Sequence, residues 1–390
     1  MKVKLGDVID KIVGDEDRFN TTLQYYIGGE HIDSARILIT NKGILDSDKG
    51  RTLGYQFHYP FEPGDVLFMT KNPYLRKCGY VDFPGICSIA TFVLRTKDPN
   101  VLCQKYLAVI TQTDEFWNYL EANKSGSVNY FITWKTLEKY EFELPDLKRQ
   151  EQIAEAIWSI EKTRISYEAL MDKTEDLVKA RFVEMFGEIG MDEKGWGLGK
   201  LGQYCVVNPR RPKDVPDDCE VTFIPMPAVS EHGQIDCSET KPYGEVKKSF
   251  TYFEEDDVLF AKITPCMENG KGAIARGLSN GIGAGSTEFH VLRPIDGKSN
   301  PYWLYVLTMF ESFRKLARRM MTGTGGQLRV PANFLEDYMV SLPPFEKQQE
   351  FEEFCKNCEE SINAIDQTLK DLVALYKKVL SDVVVEEGVM

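Results

Sequence analysis

Few residues in this chain stand at spacings that support bond-making chemistry. Pro216-Asp217 followed by Glu245-Val246-Lys247 has the form of a PD…ExK set, in which carboxylates hold Mg²⁺ and activate water. With 60 acidic residues in the chain, so loose a pattern arises by chance, and solvated acidic loops are the simpler reading. Asn72-Pro73-Tyr74 is one proline short of the motif with which adenine methyltransferases hold a flipped base. No glycine-rich cofactor loop in a strand–loop–helix setting accompanies it, so it reads as a turn. His31, His58, His232 and His290 are far apart. Cys355-x-x-Cys358 has no second pair nearby and reads as two small core thiols rather than metal ligands. No Gly-x-x-x-x-Gly-Lys-Ser/Thr phosphate loop is present. The expectation is a chain with no catalytic residue, no metal and no cofactor of its own.

Groups that hold phosphates and read base edges are better represented. Lys71, Asn72, Tyr74, Arg76 and Lys77 follow a strand-like run and combine cations, an amide and an aromatic ring. Lys262, Thr264, Asn269 and Lys271 occupy the corresponding place in the second half. Lys124, Ser125, Ser127, Asn129 and Tyr130 form a small, polar segment, and Thr322, Gln327 and Arg329 stand in its glycine-rich counterpart. Arg314, Lys315, Arg318 and Arg319 crowd one face of a predicted helix. Of these, Arg318 and Arg319 suit phosphates, and Arg329 suits base reading from a loop.

The elements that position these groups come in duplicate. Leu5-Gly6-Asp7 recurs as Leu201-Gly202-Gln203, and Gly64-Asp-Val-Leu-Phe68 as Asp256-Asp-Val-Leu-Phe260. Leu94-Arg95 recurs as Leu292-Arg293. Leu137-Glu138-x-Tyr140 with Leu144-Pro145 recurs as Leu335-Glu336-x-Tyr338 with Leu342-Pro343. From Leu94 onward the offset is 198 residues, and so many coincidences in order mean duplication. Each half begins with short β-rich runs bounded by Gly, Pro and Asn. A long helical segment then opens with proline in its first turn, where a missing N–H has no partner to lose.

Both helices carry apolar residues at alternating steps of four and three. The first seam runs Ile153, Ile157, Ile160, Arg164, Tyr167, Met171, Thr174 and Val178, with Arg164 and Thr174 its polar interruptions. The second runs Phe351, Cys355, Cys358, Ile362, Ile365, Leu369, Leu372 and Tyr376. Two matched seams, each roughly 60 Å long at 1.5 Å per residue, suit packing on each other better than packing alone. The return of the chain favours an antiparallel pair. The fold class expected is α+β: two mixed α/β domains joined by two long antiparallel coiled-coil helices in a pseudo-twofold internal repeat. Domain bounds are set at 1–145, 146–190, 191–342 and 343–390.

Along essentially its whole length the chain resembles the specificity subunit of type I restriction–modification systems. The resemblance lies in Leu144-Pro-Asp-Leu-Lys-Arg-Gln-Glu-Gln-Ile153 and Leu342-Pro-Pro-Phe-Glu-Lys-Gln-Gln-Glu350, and in Thr264-Pro-Cys-Met-Glu-Asn-Gly-Lys271. Asn72-Pro-Tyr-Leu-Arg-Lys77 and Gly323-Thr-Gly-Gly-Gln-Leu-Arg-Val330 carry it further. It implies a non-catalytic reader of double-stranded DNA, each recognition domain taking one half of an asymmetric bipartite target while the helices set the gap. It also implies two modification subunits that methylate adenine with S-adenosylmethionine, and two restriction subunits that supply ATP- and Mg-dependent cleavage. Other readings stay open: a stand-alone Mg-dependent DNA-acting enzyme, a scaffold, or the specificity subunit of another multi-subunit DNA modification system.

Charge does not decide against a DNA partner. The 390 residues carry a net −13, but the four segments hold −2, −3, −2 and −6, so the excess sits in the helical stretches. A nearly balanced domain can still present a basic face. With 43% hydrophobic and 27% charged residues the chain is globular. No apolar run approaches a membrane span, the start lacks a signal-peptide core, and nine cysteines without framework spacing suit a reducing cytoplasm.

Overall fold

The amides of Leu5 and Gly6 donate to the carbonyls of Tyr140 and Glu138, at 2.8 and 2.9 Å, so the markers that bracket the first half meet in space. Gly6 has to be glycine: a Cβ there would sit 2.6 Å from that of Glu138. The second half repeats the joint, with Leu201 donating to Tyr338 at 2.8 Å and Gly202 lying against Glu336. The computed structural model describes residues 1–45 and 53–387.

Each half is built on the same strand order. In the first, β1 (Lys2–Lys4) pairs antiparallel with β10 (Glu141–Glu143), tying the entry of the domain to its exit. One four-stranded sheet runs β2 (Ile9–Ile12), β9 (Thr91–Thr96), β6 (Val66–Met69), β7 (Cys78–Tyr80). The other runs β4 (Gly43–Ile44), β3 (Tyr25–Ile27), β8 (Gly85–Ser88), β5 (Phe57–Phe61). In the second half β11 (Leu198–Lys200) pairs with β22 (Met339–Ser341). Its sheets run β12 (Cys205–Val207), β19 (Phe289–Pro294), β16 (Val258–Ala261), β17 (Gly272–Ile274), and β14 (Thr240–Pro242), β13 (Glu220–Ile224), β18 (Ile282–Gly285), β15 (Thr251–Glu254). Position by position the two orders correspond, so the internal repeat read from the sequence is also a repeat of topology.

Helices cover one face of each sheet system. In the first half these are α2 (Gln104–Ile110) and α3 (Asp114–Ala122); in the second they are α7 (Pro301–Met309) and α8 (Glu311–Met320). Phe68 and Val66 pack with Tyr106, Phe116 and Trp117 in one core, while Phe260 and Val258 pack with Trp303, Leu304 and Phe313 in the other. Alternation along β6 and β16 turns Leu67 and Leu259 to the opposite face, into separate clusters between the sheets.

The long helices are α5 (Leu147–Phe186) and α10 (Phe345–Glu387). The chain divides into two compact units, residues 1–169 with 365–390, and residues 170–364. In the first unit Ile153, Ile157 and Ile160 of α5 share a core with Tyr376 of α10, and Leu372 packs on it. In the second, Val178 joins Phe351, Cys355 and Cys358. The Phe351 ring meets Phe182 and Phe186 edge-on, with centroids 5.6 and 5.3 Å away. The opening of one helix therefore lies along the closing part of the other within each unit. Met171 and Ile365 are buried, and Tyr167, Ile362 and Leu369 are partly covered.

Arg164, the polar break in the first seam, is buried beside Glu161 and donates to the Ala35 carbonyl at 3.2 Å. Glu161 has no exposed side chain and also faces Arg36, 3.2 Å away. Burial pushes its carboxyl above the usual range against the pull of both arginines. The same helical position in the second unit is Glu359, which lies 3.6 Å from Arg276. An arginine of the globular part thus reaches the matching glutamate of the helix in both units. Among the described residues no helix is long and apolar enough to cross a membrane.

Candidate nucleic-acid interface

In the first half two separate candidate segments are bound together through their backbones. Lys71 forms an antiparallel bridge with Phe131, and the Asn72 amide donates to the Tyr130 carbonyl at 3.0 Å. Ser125 and Phe131 exchange hydrogen bonds of 2.9 and 3.0 Å, which closes the loop that holds Ser127 and Asn129 at its tip. Asn72 and Arg76 take left-handed backbone conformations, φ 54 and 50, on either side of a 3₁₀ turn, Pro73–Leu75. That turn projects Tyr74 outward, 61% exposed.

The cations here are unequally available. Arg76 pairs with Asp114, and Lys77 donates to the Gly29 carbonyl. Lys124 is held by Glu121 at 2.7 Å and lies over the Tyr130 ring, 4.3 Å from its centroid. Lys71 is exposed and has no side-chain partner among the described residues. Val128 and Phe131, which sequence reasoning passed over, are exposed on the same surface. Phe131 is also the residue that staples the two segments together.

The second half has the equivalent joint. Ile263 bridges Arg329, the Thr264 amide donates to the Leu328 carbonyl at 3.0 Å, and the Val330 amide donates to the Lys262 carbonyl at 2.9 Å. From this base projects a hairpin, β20 (Thr322–Thr324) and β21 (Gln327–Arg329). Its two-residue turn is Gly325-Gly326, with φ 63 and 79, the conformation a tight hairpin requires. Thr322 and Gln327 are exposed on the hairpin, Asn269 is exposed in the turn that follows Pro265, and the Thr264 hydroxyl donates to Glu268 at 3.0 Å. Lys271 reaches the Met226 carbonyl at 3.5 Å.

Arg329 is committed within the fold. Its guanidinium meets the Glu288 carboxylate with contacts of 2.7 to 3.1 Å and donates to the Gln327 carbonyl at 3.2 Å. Hydrogen bonding from Arg329 holds the Glu288 carboxyl below its ordinary range. Half-buried Lys262 nearby has its ammonium pushed down, chiefly by burial.

One expectation is corrected. Arg314 does not share an outer face with Arg318 and Arg319. Its guanidinium turns inward and donates to the Thr308 and Gly270 carbonyls at 3.1 and 3.3 Å, in space left by the missing side chain of Gly270. Lys315 pairs with Glu311 at 2.9 Å, whereas Arg318 is 72% exposed and only 3.9 Å from Glu268. Arg319 is exposed and has no ion pair among the described residues.

The catalytic look-alikes resolve into structural contacts. Asp217 is engaged by Lys247, and Glu245 is exposed. Cys355 and Cys358 are free, buried thiols; burial pushes both above the ordinary range. His290 contacts Asn208 and the Val330 carbonyl, and His232 faces Glu175 at 2.6 Å. No group of three or more His, Cys, Asp or Glu among the described residues is placed to hold a metal ion.

A second feature escaped sequence reasoning. Arg210, Arg211, Lys213, Lys247, Lys248 and Lys262 line an open cleft of about 880 Å³ in the second half, with Asp217 as its acid.

The family model described as the type I restriction modification DNA specificity domain matches this chain twice, over residues 1–172 and 193–374. The chain belongs to that family. Curated relatives of the chain include two named specificity subunits. It is 36% identical over 190 residues to the type I restriction enzyme EcoEI specificity subunit of Escherichia coli, an alignment covering 48% of this chain and 31% of that protein. To the Escherichia coli EcoAI specificity subunit it is 41% identical over 172 residues, covering 42% and 28%. The match thus spans less than a third of each relative. The solved S subunit of a type I restriction-modification system from M. genitalium aligns over 97% of this chain and 94% of that one, with a TM-score of 0.55 and 12% identity. That likeness is one of fold.

Proposed function

We propose that this member of the family reads double-stranded DNA as the sequence-specificity subunit of a type I restriction–modification complex. Each globular half reads one part of an asymmetric bipartite target, and the long helices set the gap between the parts. The observation that carries the reading is the doubled joint: Asn72 to Tyr130 in one half, Thr264 to Leu328 in the other. In both halves it gathers two distant polar and cationic segments into one backbone-braced surface, which direct readout requires. Because the loops differ in sequence between halves, the two half-targets differ.

On this reading the chain performs no chemistry. Adenine methylation with S-adenosylmethionine, and ATP- and Mg-dependent cleavage, belong to two modification and two restriction subunits assembled with it. Methylome sequencing of the host with and without this gene tests the proposal. A bipartite methylated adenine motif that disappears with the gene supports it; an unchanged methylome overturns it. Purified chain that cuts or methylates DNA on its own, given Mg²⁺ or S-adenosylmethionine, overturns the non-catalytic assignment.

A further inference from the structure

We infer that the cleft lined by Arg210, Arg211, Lys213, Lys247, Lys248 and Lys262 grips the sugar–phosphate backbone of the duplex, and that the two halves of the chain hold DNA unequally. This rests on the DNA-reading function proposed above and adds a second contact surface to the second half, apart from the hairpin.

Charge is the first argument. Six cations line the cleft against one acid, Asp217, which Lys247 already neutralises. Arg210, Lys213 and Lys248 are exposed and have no partner among the described residues. Holding such unpaired like charges together costs free energy that a bound polyanion offsets. The segment that carries Arg210 and Lys213 is stiffened by Pro209 and Pro212, so little ordering of it remains to be done on binding.

Shape is the second. At about 880 Å³ and open to solvent, the cleft suits a polymer that passes along it rather than an enclosed small anion. Continuity is the third. Lys262 lines the cleft, and its backbone amide and carbonyl bind Glu288 and Val330, each at 2.9 Å. Those contacts form the root of the hairpin, so one duplex can run from the hairpin into the cleft.

The first half is built differently at the same place. There β2 pairs with β9 as β12 pairs with β19, but after β2 the chain carries Gly14, Asp15, Glu16 and Asp17 where the second half has Arg210, Arg211, Pro212 and Lys213. Repulsion of phosphate on one side and attraction on the other follows directly.

The test measures duplex affinity across salt concentrations for the full-length chain in complex with methyltransferase subunits. One duplex carries the methylated motif and one is unrelated. The variant Arg210→Ala/Lys213→Ala/Lys248→Ala should lower the slope of log affinity against log salt by about 2.7, roughly 0.9 per cation. The loss should be equal on both duplexes, and the recognised motif should not change. Lys213→Ala/Lys248→Ala should lower the slope by about 1.8. All three positions are exposed, and an unchanged thermal melt confirms that folding is intact. A motif-selective wild type with unchanged slopes in both variants overturns the cleft alone and returns it to some other polyanion. Affinity lost at a single base position overturns phosphate contact in favour of base reading. A wild-type complex with no preference between the duplexes overturns the DNA-reading function and the cleft with it.

Discussion

Asp257 accepts two hydrogen bonds from Arg293, at 2.8 and 2.7 Å, and Asp65 accepts the same pair from Arg95 at 2.7 and 3.0 Å. Each carboxylate is buried and also caps a backbone amide, Glu254 in one half and Glu62 in the other. Two of the sequence markers of duplication, Asp-Val-Leu-Phe and Leu-Arg, are therefore the two sides of one ion pair. Removing one partner strands the other. Asp257→Ala should destabilise the second half by about 3 kcal/mol, the low end for a buried pair because Arg293 is a quarter exposed. Asp65→Ala should destabilise the first half by less, because Arg95 is 39% exposed and water can reach the stranded guanidinium more readily. Hydrogen exchange resolved by segment checks both, with protection lost only in the sheet that carries the substitution.

How legible this was depends on distance along the chain. The repeat could be read because its markers are short, local and retained for contacts such as Gly6 against Glu138. The seam could be read because a heptad is a local period. The staple between Lys71 and Phe131 could not, since nothing in either segment names its partner 60 residues away. Arg314 was misread because spacing assigns a helix face but not the reach of a long side chain. Its inward turn depends on carbonyls supplied by Thr308 and Gly270. The basic cleft joins Arg210-Arg211 to Lys247-Lys248, two cationic pairs 37 residues apart in the chain, and nothing in either names the other.

Gln150 and Gln348, 198 residues apart, dock the two long helices in the same way. Gln348 accepts from the Asn300 amide at 3.0 Å and donates to the carbonyls of Lys298 and Pro343 at 2.9 and 3.0 Å. Gln150 makes the matching bonds to Cys103, Val101 and Pro145. Both side chains are fully buried. Gln348→Leu conserves bulk but leaves three backbone groups unpaired, at roughly 1–3 kcal/mol for each that water cannot reach. The expected result is a lower melting temperature, with exchange rising first around residues 298–304 and 343–350.

His232 should make stability depend on pH. Its hydrogen bond to Glu175 raises the imidazole above its ordinary value, aided by Asp172 and Glu231 and opposed by burial. A raised folded value means the protonated form is favoured by folding. Its contribution is complete below about pH 6.5 and is lost as pH rises through the folded value. Wild type should therefore lose melting temperature relative to His232→Gln as pH rises above the ordinary histidine value of about 6.5. Parallel curves for the two proteins would remove the ion pair from any part in stability.

Arg329 separates two roles that sequence position alone leaves together. Its place in a glycine-rich loop suggests a base-reading side chain, yet its guanidinium is already paired with Glu288, with contacts of 2.7 to 3.1 Å. A planar fork matched to a carboxylate is a strong, oriented contact, and moving it to a guanine edge would strand Glu288 beside the DNA. Geometry therefore favours a clamp that fixes the base of β20 and β21, which under the proposed function leaves Thr322 and Gln327 to face the duplex. Glu288→Ala should then loosen the hairpin, raise amide exchange across residues 322–329, and weaken DNA binding although a negative charge has been removed. Were Arg329 a reader restrained by Glu288, the same substitution would release it and strengthen binding. The pH response adds a check. Glu288 titrates below the ordinary carboxylate range, so the clamp's stabilisation is complete above that range and is lost as pH falls through the lowered value. Hairpin exchange should accordingly rise on acidification in wild type, and stay flat over the same interval in Glu288→Ala.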